Sequence, residues 1–309
     1  MKKLYVFIIT ILISLGSYAQ YHEIGFFGGI SYYMGDLTPV HFSAPGYAFG
    51  LKYRYDINRR FALRLGGHIA KVNGDSKFDA ESKRYKNLSF HSTIVDFEGG
   101  LEINFLEYEP GSKKHRFTPY IFAGFTFFKF NPKTYYQGEE YELQPLGTEG
   151  QGLTAYPDKK PYKLSAVAIP FGIGIKWSVS EKVSLGLEWG LRKTFTDYLD
   201  DVSTRYPDPA ILRAEKGAVA AALNNRQHEQ EFVDAGYDIS IGPNGIPNNQ
   251  ADFDLYIASM GSGGGQRGAE AKDWYAMAGL TVMFKIVGAK SGRCPAYKQK
   301  SYFKEYLLF

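Results

Sequence analysis

Histidine is the first side chain to weigh for chemistry, because imidazole titrates near neutrality and readily binds metals. His22, His41, His68, His91, His115 and His228 are scattered along the chain, and no pair has the i, i+4 spacing of a zinc-binding helix. No Gly-x-Ser-x-Gly elbow is present to present a serine nucleophile. His41 and His228, taken with the loop aspartates, are the only pieces from which a hydrolytic site could be assembled, and loop histidines of this kind are usually just hydrated. The acidic run Asp197-Tyr198-Leu199-Asp200-Asp201 could offer oxygens to calcium, yet it lacks the repeated spacing and the glycine of a calcium loop. It reads as a hydrogen-bonded or solvated loop cluster. Cys294 is the only cysteine, so no internal disulfide can form. In an oxidising space a lone thiol points to an intermolecular disulfide or a free reactive group, with a buried inert thiol as the equal alternative. No catalytic residue, metal or cofactor is expected, and the chain reads as a non-enzyme.

The elements that carry these residues are strands. Tyr47, Phe49, Leu51, Tyr53 and Tyr55 alternate with Ala48, Gly50, Lys52 and Arg54. The same period of two puts Val95, Phe97, Leu101, Ile103 and Phe105 opposite Asp96, Glu98, Gly100, Glu102 and Asn104. It recurs at Ile169 to Ser178, at Val183 to Arg192 and at Trp274 to Lys285. Segments of about ten residues with this alternation suit tilted strands that cross a hydrocarbon layer. Three weaker segments, Glu23 to Tyr33, Phe61 to Val72 and Phe117 to Phe130, bring the number to eight. Phe125, Phe127 and Phe128 break the pattern in the last, which predicts a bulge or an altered register there.

Connection lengths alternate as well. Asp56 to Arg60 and Val179 to Lys182 are tight turns, Leu106 to Arg116 is intermediate, and Asn73 to Ser89, Asn131 to Leu164 and Phe195 to Asp273 are long. Short periplasmic turns facing long outer loops, with both ends of the barrel in the periplasm, are the outer-membrane pattern. Met1-Lys2-Lys3, the apolar run Leu4 to Leu15 and Ser17-Tyr18-Ala19 read as a secretory signal peptide cut after Ala19. That apolar run is too short to span a bilayer. An aromatic share of 16% and 34 glycines fit a barrel with aromatic girdles, although a soluble sandwich could share them. The formal charge of +4 includes signal-peptide lysines and gives no reason to expect nucleic acid.

The organisation predicted is a signal peptide over 1–19, an all-β, eight-stranded antiparallel transmembrane barrel over 20–285 and a periplasmic tail over 286–309. Inward positions hold Lys52, Arg54, Arg64, Glu98, Glu102, Lys176, Glu188 and Arg192. An eight-stranded barrel has room only for side chains, so these charges should pair and close the lumen. Asp208-Pro209 followed by Ala210 to Leu223 predicts one short helix in the last outer loop, within Asp208 to Phe232.

Several loop strings carry a family resemblance. They are Tyr32-Tyr33-Met34-Gly35-Asp36-Leu37, the run from Leu143 to Gly152, and Thr196-Asp197-Tyr198-Leu199-Asp200-Asp201-Val202-Ser203. Arg267-Gly268, Lys272-Asp273-Trp274-Tyr275 and the tail residues Cys294, Pro295 and Tyr297 complete the set. With these, the chain from Gln20 onward resembles the PorG-type barrels of the type IX secretion system, also known as a domain of unknown function. The resemblance implies an outer-membrane anchor that fastens a periplasmic ring, formed by a PorK-like lipoprotein and a PorN-like partner, through its periplasmic turns and tail. It implies no catalytic residue. The tail with Cys294 is the expected docking segment, and outer-membrane lipid is the other expected partner. Two rival readings stay open: a surface adhesin or ligand-binding barrel that uses its outer loops, and a barrel enzyme at the outer rim.

Overall fold

The computed structural model describes residues 21–78, 85–269 and 271–286. The predicted signal peptide and the tail with Cys294, Pro295 and Tyr297 lie outside the described residues.

Among the described residues ten strands form: β1 (Tyr21–Met34), β2 (Gly46–Asp56), β3 (Phe61–Asp75), β4 (Ser89–Asn104), β5 (Phe117–Lys129), β6 (Pro132–Tyr136), β7 (Glu139–Glu142), β8 (Ser165–Ser178), β9 (Val183–Thr194) and β10 (Trp274–Ile286). Eight of them close a barrel. Each pairs antiparallel with its neighbour in the order β3-β2-β1-β10-β9-β8-β5-β4, and β4 returns to β3 from Phe61↔Ile103 up to Asp75↔Ser89. Closure leaves no free sheet edge and satisfies the backbone polar groups internally, which is what a β structure needs in lipid.

The polarity of the wall is inverted relative to a soluble protein. Phe49, Leu51, Leu65, Phe97, Phe125, Ile173 and Leu280 stand exposed, whereas Lys52, Arg54, Arg64, Glu98, Glu102, Lys176, Glu188 and Arg192 are buried. Every inward charge predicted from alternation therefore faces the lumen. A soluble sandwich would bury its greasy face against a second sheet. Here a single sheet closes on itself with that face outward, which makes this a transmembrane barrel.

The bulge predicted in β5 is absent. Its register with β4 runs without interruption from Asn104↔Tyr120 to Val95↔Lys129. Phe125 and Phe127 point outward while Phe122 and Phe128 point into the barrel. The alternation of direction is intact; what fails is the assumption that only small or charged side chains face inward. Glycines on neighbouring strands make the space: a Cβ on Gly172 or Gly190 would meet the Phe122 ring at 2.7 Å.

The two short turns are held by their own side chains. Asn58 Oδ1 accepts from the backbone of Arg60 (2.8 Å) and Phe61 (2.9 Å), and Ser180 Oγ accepts from Val183 N (3.1 Å). At the other end the long loops are folded. The β6–β7 hairpin extends the sheet beside β4, and α1 (Leu143–Leu146) ends at Gly147, whose φ of 60° suits glycine. In place of the single predicted helix, the last loop contains α2 (Pro209–Lys216), α3 (Ala218–Asn224), α4 (Glu229–Asp234) and α5 (Gln250–Ser259). Asp208 caps α2 as its sequence suggests, accepting from Ala210 N at 2.8 Å. Gly217, at φ 92°, splits the predicted helix in two. Leu223, Phe253 and Tyr256 pack with Leu37, Leu199 and Val202 in one apolar cluster that continues to Phe128 and Tyr275 at the top of the lumen. The loops thus form a lid with its own core.

Candidate functional site: a filled lumen under a buried polar cap

The lumen is built in tiers because inward residues of adjacent strands meet at matching registers. Nearest the short turns, Arg54 donates to Glu23 (2.9 Å) and lies 3.3 Å from Glu102, which also pairs with Lys176. Ser184 donates to Glu23 at 2.8 Å and receives from the Tyr108 hydroxyl at 2.7 Å. In the middle tier, Arg64 bridges Glu98 (2.6 Å) and Glu188 (2.8 Å), while Lys52 and the Tyr120 hydroxyl complete the shell of Glu188. The Arg64 guanidinium also lies 3.7 Å over the Phe122 ring. Above it, Arg192 reaches Glu98 at 3.1 Å, and Asp96 accepts from Tyr275 (3.0 Å) and lies 2.6 Å from His68 Nδ1. Removing charges from water costs several kcal/mol per ion, and each of these carboxylates is multiply bonded; Asp56, buried at the turn end of β2, has no hydrogen-bond partner among the described residues.

Glu23, Asp56, His68 and Asp96 were missed among the inward charges, Asp56 because it reads from the sequence as part of the turn, whereas it ends β2 with the parity of Lys52 and Arg54. The signal was available: His68 has the parity of Arg64, and Asp96 that of Glu98 and Glu102.

The loop strings singled out in the sequence converge on a second network above this lumen. The Tyr33 hydroxyl at the end of β1 bonds Asp200 (2.5 Å) and Asp273 (3.1 Å). Asp273 also accepts from Leu199 N at 2.9 Å, and Asp200 from Val202 N at 2.9 Å. Asp201 accepts from Thr148 (2.5 Å) and Tyr162 (2.7 Å) and faces Arg267 at 3.5 Å. Glu149 accepts from the backbone of Ser203 (2.8 Å) and Thr204 (2.9 Å) and from Arg267 Nη1 (3.3 Å). Arg267 is buried and donates in addition to the carbonyl of Asn224 at 3.2 Å, which ties α3 into the network. Asp197 accepts from Ser203 Oγ at 2.5 Å. Lys272 lies exposed beside it.

Burial dominates the acidity of these aspartates. It pushes Asp197 and Asp201 up to about 6, partly offset by hydrogen bonds from Ser203 at Asp197 and by the Arg267 charge at Asp201. Asp200 and Asp273 are raised well above the usual carboxylate range, by burial first and by neighbouring carboxylates next. The acidic run is thus a structural clasp joining the loops. Among the described residues no group of three or more His, Cys, Asp or Glu side chains has a metal-holding arrangement.

The histidines are not brought together. His41 bonds Tyr32 at 3.2 Å, His228 bonds Glu231 at 3.1 Å, His91 bonds Glu140 at 2.9 Å, and His22 bonds Tyr53 at 2.7 Å on the outer wall. None of these contacts involves the aspartate clasp.

Among known proteins, the model of one family, described as Domain of unknown function (DUF6089), matches residues 2–215. No curated protein matches. Solved structures that are similar include the N-terminal β-barrel domain of Pseudomonas aeruginosa OprF, at 11% identity and a TM-score of 0.32. Neisserial surface protein A (NspA) is similar at 10% and 0.36, and Ail, the attachment invasion locus protein of Yersinia pestis, in complex with the heparin analogue sucrose octasulfate, at 8% and 0.35. Each similarity covers 86% of this chain and 97% of the other.

Proposed function

This chain belongs to the DUF6089 family, and we propose that it is a non-catalytic outer-membrane anchor of the type IX protein secretion machinery. In this reading it holds a periplasmic ring of PorK-like and PorN-like proteins through its periplasmic turns and its tail. The observation that carries the proposal is the occluded lumen. Arg54, Arg64, Lys52 and Arg192 with their carboxylates fill the barrel from the turn end upward, and the Tyr33–Asp200–Asp273 clasp and α2 to α5 cover its mouth. A barrel that leaves no aqueous path acts by what it holds. The loop strings that carry the type IX resemblance support the same reading, since they recur here as one lid and not as scattered surface segments.

On this view the short-turn end faces the periplasm. It presents Arg59 between Glu107 and Glu109, at 3.2 and 2.8 Å, and on the same end the exposed Leu106 and Val179. Crosslinking in native membranes followed by purification of the barrel tests the proposal. Recovery of ring components, lost on deletion of residues 293–309 while the barrel stays in the membrane, is the expected result. Recovery of none in the intact chain would end the anchor reading. Non-reducing gels of the same membranes test whether Cys294 forms an intermolecular disulfide.

A second reading, a surface adhesin, is favoured by one observation. The lid exposes Val233, Tyr237, Ile246 and Leu255 on and beside α4 and α5. Surface binding lost on deletion of this loop region, with secretion intact, would favour it.

A further inference from the structure

On seven of the eight barrel strands the outward apolar series gives way, on the loop side, to a different kind of residue. On β3, Leu63, Leu65 and Ile69 are followed by Lys71; on β5, Phe125 and Phe127 by Lys129; on β9, Leu185, Leu187 and Leu191 by Lys193. The corresponding outward positions of β2, β4, β8 and β10 hold Tyr47, Thr93, Ser165 and Trp274. On these seven strands the tier contains lysines, aromatic rings and hydroxyls and no carboxylate, and on β1 it holds Ile30, opposite Tyr47. Lys193 Nζ lies 5.5 Å over the Trp274 ring. None of Lys71, Lys129 and Lys193 has an acidic partner within ion-pair distance among the described residues. Three acids further up are already matched: Asp75 with Lys77 at 2.9 Å, Glu140 with Lys133 and His91 at 3.1 and 2.9 Å, and Glu142 with Lys133 at 3.4 Å.

Directly above Lys71 the wall is recessed. A pocket of about 270 Å³ is bordered by Lys71, Asn73, Ser89, His91 and Tyr135, with the His91 ring stacked on Tyr135 at 5.0 Å, and by Asp75, whose carboxylate is neutralised by Lys77 on the same rim. It combines a cation at its foot, hydrogen-bonding side chains on its wall and an aromatic plate, and it opens at the level where the apolar belt stops. A free phosphate would find the cation. Only a lipid would also use the belt below, where Ile69, Val95 and Phe97 stand exposed.

We infer that Lys71, Lys129 and Lys193 form a collar that binds the phosphates of outer-leaflet lipid headgroups, with the recess over Lys71 as the principal seat for a phosphorylated saccharide headgroup. The inference rests on the membrane placement given above. An ammonium on a flexible stem at the edge of a hydrocarbon belt keeps its methylenes in lipid and its charge at headgroup level. Near an anionic membrane surface each such lysine contributes about 1 kcal/mol, or roughly fivefold in affinity.

The test is native mass spectrometry of the purified full-length chain in a non-ionic detergent. It is titrated separately with bis-phosphorylated lipid A, with phosphatidylcholine and with inorganic phosphate. Retention of lipid A, with little retention of phosphatidylcholine, is expected. Lys71→Gln should weaken lipid A retention about fivefold and Lys71→Gln/Lys193→Gln roughly 25-fold, while Lys71→Arg keeps most of it. Heat-modifiable migration on gels checks that each variant remains a folded barrel. Equal retention of lipid A by wild type and the double variant would overturn the inference, as would binding of inorganic phosphate alone. Failure of the wild-type chain to insert into any lipid bilayer would instead remove the membrane reading on which the collar depends.

Discussion

Glu188 is the most informative residue to perturb, because three donors from three strands converge on it. Lys52 on β2, Arg64 on β3 and Tyr120 on β5 all bond its carboxylate, which is buried. Glu188→Gln keeps the shape and removes the charge, so Lys52 and part of the Arg64 charge are left uncompensated inside the wall. Removing one partner of a buried ion pair costs about 3 to 5 kcal/mol. The same change at Glu107, whose pair with Arg59 at 3.2 Å is largely exposed, should cost at most about 1 kcal/mol. Urea unfolding of the refolded barrel in lipid vesicles, followed by the fluorescence of Trp177, Trp189 and Trp274, measures both. A double-mutant cycle with Lys52→Met adds a second constraint. Losing Lys52 should cost less in the Glu188→Gln background than in wild type, by about 0.5 to 3 kcal/mol. If Glu188→Gln and Glu107→Gln destabilise equally, or the cycle shows no coupling, the lumen is wet enough to screen its charges and the occlusion argument fails.

Three further outcomes follow from the same structure. Arg267→Met leaves Glu149 and Asp201 buried without their cation, so proteases should cut within the loops between 143 and 269 while heat-modifiable migration of the barrel persists. The clasp should also loosen as pH rises. Asp197 and Asp201 bind protons more tightly folded, at about 6, than unfolded, near 3.9, so their stabilising protonation is complete below about pH 4 and lost as pH climbs through 6. Hydrogen exchange over residues 197–204 should then be faster at pH 7.5 than at pH 5 after correction for intrinsic rates, and unchanged protection would contradict this. Gly174→Val should abolish assembly of the folded barrel on gels, because a Cβ there would lie 2.5 Å from the Tyr120 hydroxyl and 2.8 Å from the Leu187 carbonyl.

Strand identity, strand number and the sign of each face could be read from the chain alone, because a β-strand sends successive side chains to opposite sides and the two solvents of a membrane barrel demand opposite chemistry. That is why Lys52, Arg54, Glu98, Glu102, Lys176, Glu188 and Arg192 could be placed inward without coordinates. The short turns were legible for a similar local reason, since Asn58 and Ser180 bond backbone groups two or three residues away. What the chain could not reveal were matters of space. Phe122 faces inward because glycines on other strands make room for it, and Phe128 packs into the apolar cluster at the top of the lumen, so a phenylalanine-rich β5 looks irregular until its neighbours are known. The clasp is the clearest case. Tyr33, Thr148, Glu149, Asp200, Asp201, Arg267 and Asp273 come from two separate loops and two strand ends, at sequence separations as large as 240. Their hydrogen-bonding capacity is written in the sequence, but their burial, which raises the aspartates and sets the Arg267 cation against Glu149 and Asp201, exists only once the barrel has closed and gathered the loop ends over its mouth.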